Sequence, residues 1–281
     1  MNVTAELQLL RKRWQLEGGL CVICGAMPAL EKDHIPPRAL FPKSLRDPTT
    51  EFLTYPVCMA CNRGSSDSDF VLAFRLGAEL NQTSYARGVD PTDPDLLELH
   101  RQSTKMLTSE KEGKRRIDIL APRLRGHTGV NATGAIDLPD SMVLPTIQKM
   151  MRALYWLKTD GDIMERHKPS FWVRSGLDTT TEFFAKSIIS KTNASIEWDN
   201  RFVTRYNIGG PQSAINGIMM SAFIFYSQGK AGRGYTWFGM AIPSNYEVDG
   251  ELLCRTLENK YGPPTWKYRS IKRGLRKAKV K

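Results

Sequence analysis

The sequence predicts an α+β protein: a small N-terminal module of two strands and a helix, then a larger α+β part built on an antiparallel sheet. Three observations carry that reading. Cys21-Val22-Ile23-Cys24 and Cys58-Met59-Ala60-Cys61 enclose a segment too rich in proline and turn residues to be one helix. Apolar residues recur at helical spacing in Phe70, Val71, Phe74 and Ala78, and again in Ile147, Met150, Met151, Leu154 and Leu157. The last third alternates aromatic and β-branched runs with glycine-rich turns. The expected divisions are 1–88 for the module, 89–266 for the α+β domain and 267–281 for a basic tail.

In chain order, Thr4 caps a first helix whose Leu7, Leu10 and Trp14 share a face, and Gly18-Gly19 ends it. A short strand leads toward Ile35, a long loop passes Pro42 and Pro48, and a second strand lies near Phe52 to Val57, followed by a turn. From about Ser66 a helix is expected, with Asp67 and Asp69 in its first turn, where negative charge is favoured. Gly88 to Pro94 does not continue a helix. Beyond it come a helix near 95–109, a strand near 116–120, and the strongest helix, 145–158, with Pro145 in its first turn. Strands are expected near 171–173, 202–208, 215–226 and 235–242. A helix is expected around 180–190, and a hairpin loop at 229–234.

A hydrophobic share of 41% and a charged share of 25% are ordinary for a water-soluble domain and exclude a disordered or fibrous chain. The N-terminal residues carry no apolar signal region, so a cytoplasmic location is expected. The longest uncharged run, 206–229, is broken by Asn207, Pro211, Gln212, Asn216 and Gln228, which argues against a membrane helix. The net charge of +11 is unevenly spread: 267–281 contains eight basic residues and no acid, among them Lys272, Arg273, Arg276 and Lys277. Such a stretch suits a polyanion.

Two C-x-x-C pairs are the spacing of a tetrahedral zinc site, each pair supplying two thiolates, so Cys21, Cys24, Cys58 and Cys61 are the expected ligands of a closed, structural zinc ion. A loop-rich segment of this length buries too little apolar surface to be stable alone, and a metal staple supplies the difference. The fifth cysteine, Cys254, lies among leucines and is expected to be an inert buried thiol. Between the pairs stands Lys32-Asp33-His34-Ile35-Pro36-Pro37, and Asn62 follows the last cysteine. These hard oxygen and nitrogen groups suit a second metal and a base rather than a thiolate-rich zinc.

With Cys-Val-Ile-Cys-Gly, Lys-Asp-His-Ile-Pro-Pro-Arg-Ala-Leu-Phe-Pro and Cys-Met-Ala-Cys-Asn-Arg-Gly in that order, residues 20–80 resemble the HNH endonucleases, in the form whose ββα-metal fold is held by a four-cysteine zinc. The resemblance implies that His34 is the general base, that Asp33 and Asn62 hold a catalytic magnesium or manganese ion, and that the reaction is hydrolysis of phosphodiester bonds. DNA is the expected substrate, and phage defence or restriction a fitting setting. An in-line water, a base whose pKa lies near neutral and a cation on the leaving oxygen and the scissile phosphate are what that chemistry needs. Adjacent residues on a strand point to opposite sides, so the Asp33–His34 junction is expected to be a bend or strand end. Arg38, Lys43 and Arg63 flank the site as candidate phosphate contacts. One departure from the family pattern is that no Asn occurs between Ile35 and Val57 to brace the histidine loop, leaving Thr49, Thr50 or Thr54 for that work. The alternative reading is a catalytically inactive, zinc-stabilised protein that binds nucleic acid or takes part in assembly. The C-terminal domain is the expected surface for a protein partner or a second copy of the chain.

Overall fold

The computed structural model describes residues 9–10, 12, 14, 16, 18–41, 44, 46, 52–87, 97–99, 101–102, 105, 140–176, 194–198, 202–208, 219–225, 235–242, 259 and 266–268. Strand β1 (Glu31–Ile35) pairs antiparallel with β2 (Leu53–Val57), and helix α1 (Met59–Arg87) follows at once. Between the strands, Arg38–Leu40 forms a 3-10 turn that packs against α1. Helix α2 (Asp140–Lys158) comes next, and a 3-10 turn at Met164–His167 leads into β3 (Ser170–Gly176). Then come β4 (Ala194–Trp198), β5 (Phe202–Ile208), β6 (Met219–Phe225), β7 (Tyr235–Ile242) and β8 (Trp266–Tyr268). The larger sheet is antiparallel throughout, in the order β4-β5-β6-β7-β3-β8. Among the described residues the protein is thus mixed α+β, with a two-stranded and a six-stranded sheet.

The first described residues are tied down by Trp14, which stacks edge-on against Trp156 at 5.8 Å and donates its indole N–H to the Leu20 carbonyl at 2.9 Å. The indole lies so close to Gly19 that a Cβ there would fall 2.2 Å from Trp14 Nε1. Only glycine fits at that position, and Gly18, at φ 67°, turns the chain into it as the sequence predicts for a helix end.

Helix α2 is the centre of the molecule. It packs on α1 on one side and on β5, β6 and β7 on the other. Of its side chains from Met142 to Trp156, only Pro145 is exposed. The sequence predicts an apolar stripe with a polar outer face. Instead that outer face is covered too, because Thr146, Lys149 and Arg152 each find a partner inside: Ser68 and Asp69, Asp33 and Asp69, and Glu165 respectively. Arg152 also lies over the Phe171 ring at 4.7 Å. A helix buried all round is what a central layer requires. One apolar cluster runs through the molecule, joining Leu40, Tyr55 and Phe70 to Ile147, Trp156, Phe223 and Ala241.

Several expected boundaries shift. Helix α1 begins at Met59 and not near Ser66, so Cys61 and Asn62 lie on it and Asp67 and Asp69 sit well inside it. Helix α2 begins at Asp140, five residues before Pro145, which is tolerated near the amino end where its missing N–H costs one bond at most. Strands β4 and β8 are additional to those expected. β8 contains Lys267, so the first residue of the expected tail belongs to the sheet, paired with Trp172. Among the described residues, no helix is long and apolar enough to cross a membrane. The expected strand at 116–120, the helix at 180–190, the hairpin loop at 229–234, Cys254, Lys43, Thr49, Thr50 and Lys272, Arg273, Arg276 and Lys277 lie outside the described residues.

Candidate metal centre and the Asp33–His34 strand

The four cysteines come together. Cys21 and Cys24 lie on the turn before β1, Cys58 at the end of β2, and Cys61 in the first turn of α1, and their sulfurs are all within 4.8 Å of one another. A tetrahedral zinc–thiolate site needs S···S separations of roughly 3.8 Å, given bonds near 2.3 Å. The cluster is therefore of the right size and chemistry to hold a metal such as zinc. Backbone geometry prepares it: Cys61 N–H points at Cys58 Sγ at 3.4 Å, and the Gly25 and Cys21 amides bond within the first knuckle. The thiols already share protons unequally. The hydrogen bond from Cys61 draws the Cys21 thiol down to about 5, while that same bond, with burial, pushes Cys61 up. Burial raises Cys58 as well. Among the described residues this is the only group of three or more Cys, His, Asp or Glu side chains placed to share one ion.

Asp33 and His34 do not stand at a bend. Both lie inside β1, opposite Tyr55 and Thr54, so they face opposite sides of the hairpin. The peptide after Ile35 is cis to Pro36. Asp33 faces the interior and is 8% exposed. Its Oδ1 accepts the His34 backbone N–H at 2.7 Å. Its Oδ2 accepts the Tyr55 hydroxyl at 3.0 Å and the Lys149 ammonium at 2.8 Å. His34 is half-buried, edge-on to Phe52 at 6.0 Å. Burial first, and then the charge of Arg38, lower its pKa to about 4, so the ring is neutral at neutral pH. Asn62, in the first turn of α1, donates its amide to Glu31 Oε2 at 2.7 Å and so ties the helix to β1.

Sequence reasoning missed Lys149, Tyr55, Glu31 and Arg46, and took Asp69 chiefly for a first-turn helix charge. Lys149 Nζ lies 2.8 Å from Asp33 Oδ2, 2.5 Å from Asp69 Oδ2 and 3.1 Å from Ser65 Oγ, so all three of its hydrogens have oxygen partners. The Thr146 hydroxyl donates to Asp69 Oδ1 at 2.8 Å. Burial pushes the Asp69 carboxyl up to about 6, opposed chiefly by Lys149. Burial and the Asp33 charge also raise the Tyr55 phenol well above its ordinary value. No local pattern reveals this network, because Lys149 is 116 residues from Asp33 and 80 from Asp69.

On the other face, Arg38 and Arg46 both approach the Phe52 ring, at 5.8 and 5.7 Å. Arg46 is pinned by the carbonyls of Phe41 and Arg38 at 2.7 and 2.8 Å. Neither guanidinium pairs with a carboxylate among the described residues. Arg63 is exposed on α1. His167, in the 3-10 turn before β3, meets Asp162 Oδ2 with its Nε2 at 2.5 Å, and its ring lies beside Tyr155.

Asp33 and Asn62, the expected ligands of a second, hard metal ion, are each engaged within the chain, Asp33 by Tyr55 and Lys149 and Asn62 by Glu31. The charge of Asp33 is already answered by an ammonium. Compared with protein-family models, curated proteins and solved structures, the chain matches none of them.

Proposed function

We propose that this chain is a metal-dependent endonuclease of the HNH type, hydrolysing phosphodiester bonds in nucleic acid, with DNA as the substrate class. The observation that carries the reading is the strand–strand–helix unit clamped by the four-cysteine cluster, which ties Asn62 to the strand bearing Asp33 and His34 through the 2.7 Å bond to Glu31. The zinc holds the unit closed and takes no part in the chemistry.

In this reading His34 accepts the proton of the attacking water. Its pKa, lowered to about 4, keeps the ring unprotonated at neutral pH but makes it a weaker base than the near-neutral one this chemistry calls for. A positive flank formed by Arg38 and Arg46 lies on the same side as His34 and suits the phosphates on either side of the scissile bond. Because Asp33 lies on the opposite side of β1 from His34, a magnesium or manganese ion bound by Asp33 and Asn62 would supply charge at the scissile phosphate and the leaving oxygen only once Asp33 leaves Lys149 and turns to the His34 side. Arg63, Lys43 and the basic residues beyond β8 add sequence-independent affinity for the backbone. The test is cleavage of plasmid, linear and single-stranded DNA and RNA across a metal panel. Wild type should cut and His34→Ala should not, with zinc content unchanged. Equal cleavage by the two proteins would sink the assignment.

A second reading has its own support. Lys149 on Asp33 Oδ2 and the burial of Asp33 favour a catalytically inactive protein that keeps the zinc fold to bind nucleic acid. Retardation of DNA in a gel with no nicking under any metal would favour it.

A further inference from the structure

Lys149 Nζ sits where three oxygens converge, at 2.5 to 3.1 Å: one from Asp33 on β1, one from Asp69 and one from Ser65 on α1. Such a set of two carboxylates and a hydroxyl, each on a different residue, is the ligand chemistry of a hard divalent cation. Here the chain fills it with its own ammonium, 2% exposed at the side chain, delivered by the central helix. The charges do not balance. Two carboxylates face one lysine, and among the described residues no second cation reaches Asp33 or Asp69. The cage is also well framed, because Tyr55 and Thr146 each donate to one of its carboxylates and hold them in place without adding positive charge.

We infer that Lys149 is the resident cation of an oxygen cage formed by Asp33, Asp69 and Ser65, and that a divalent metal ion binds this cage only in place of the ammonium. The inference rests on the nuclease reading only for its choice of metal class. It follows from Coulomb's law. A divalent ion sharing Asp33 Oδ2 with a lysine would stand a few ångströms from a like charge in a poorly screened interior. Loss of the ammonium both ends that repulsion and leaves two negative charges to match the ion. Metal loading and the packing of α2 on α1 are therefore opposed, since Lys149 is one of the groups that joins the two helices.

The experiment is equilibrium binding of Mn2+ alone to the zinc-loaded full chain, read by the electron paramagnetic resonance signal of the free ion. Lys149→Met keeps the length of the side chain without its charge. It should bind one Mn2+ at least tenfold more tightly than wild type, and adding Asp33→Asn should remove the gain. Mn2+ affinity in Lys149→Met equal to that of wild type overturns the inference. Should Lys149→Met not fold, Lys149→Gln, which removes the charge but keeps a donor for one carboxylate, should likewise bind Mn2+ more tightly than wild type; no gain there overturns the inference. Cleavage does not enter this readout. Loss of the nuclease reading would show as equal cutting by wild type and His34→Ala, with the Mn2+ gain still present.

Discussion

The cysteine cluster and the Lys149 network both fasten α1 to the β1–β2 hairpin, and they do so with opposite economies of charge. Four thiols converge on one point, and the cation that answers them is one the chain does not itself carry. Two carboxylates converge around an ammonium that the chain itself carries in on α2. The first site can be made from residues within one short stretch. The second needs α2 in place before its carboxylates and its ammonium are paired. A soft site is thus loaded by solution chemistry, and a hard site by folding.

The largest effect should come from the cysteine side of that contrast. Chelation, or Cys58→Ser, removes binding energy that is on the order of 10 kcal/mol for structural zinc. It should lower the thermal midpoint by more than about 10 °C, measured by circular dichroism, and bound zinc by elemental analysis should be one per chain before treatment. If the midpoint does not move, the knuckle is not a staple. Lys149→Ala comes next. Removing one partner from a buried ion network strands the others, and a loss of about 3–5 kcal/mol in denaturant unfolding is expected. A cost below 1 kcal/mol would mean the network closes over a water and is not a true counterpart to the zinc. Tyr55→Phe takes away one donor to Asp33 Oδ2 and should cost about 1 kcal/mol in the same assay.

His34 sharpens the comparison through pH. Its pKa in the fold, about 4, lies below the ordinary 6.5, so between those values the unfolded chain takes up the proton first. The stability it contributes is present above pH 6.5 and is lost as the pH falls toward 4. Wild type should therefore lose more stability than His34→Gln between pH 7 and pH 5. An equal loss in the two would show that His34 titrates normally. The smallest effect is expected at the partly exposed His167–Asp162 pair, where His167→Ala should cost about 0.2–1 kcal/mol.

What could be read in the sequence was whatever has a short period. The C-x-x-C pairs, the two strands between them, the glycine end of the first helix and the apolar residues of α2 all follow from spacing within a few positions, and the structure has them. The start of α1 was hidden because Cys58 does a capping residue's work at the knuckle without looking like one. Alternation along a strand should have separated Asp33 from His34, yet the shared chemistry of the pair favoured a bend; the register with Tyr55 and Thr54 decides for alternation. Lys149 was hidden for a deeper reason. A lysine between Gln148 and Met150 reads as the solvent side of an amphipathic helix, and only partners far away in sequence reveal that this side is covered.

The reach of Lys149 also limits how the molecule can be taken apart. Residue 88 is a natural place to cut by composition, and the hairpin with α1 would then carry every cysteine of the cluster and both Asp33 and Asn62. It would leave behind the one ammonium that Asp33 and Asp69 share. Such a fragment would keep its zinc and still expose the buried face of α1, with Asp33 and Asp69 facing each other across water. For this chain the unit that can be moved, inherited or fused elsewhere includes α2, so its smallest portable piece is larger than the motif that first draws the eye.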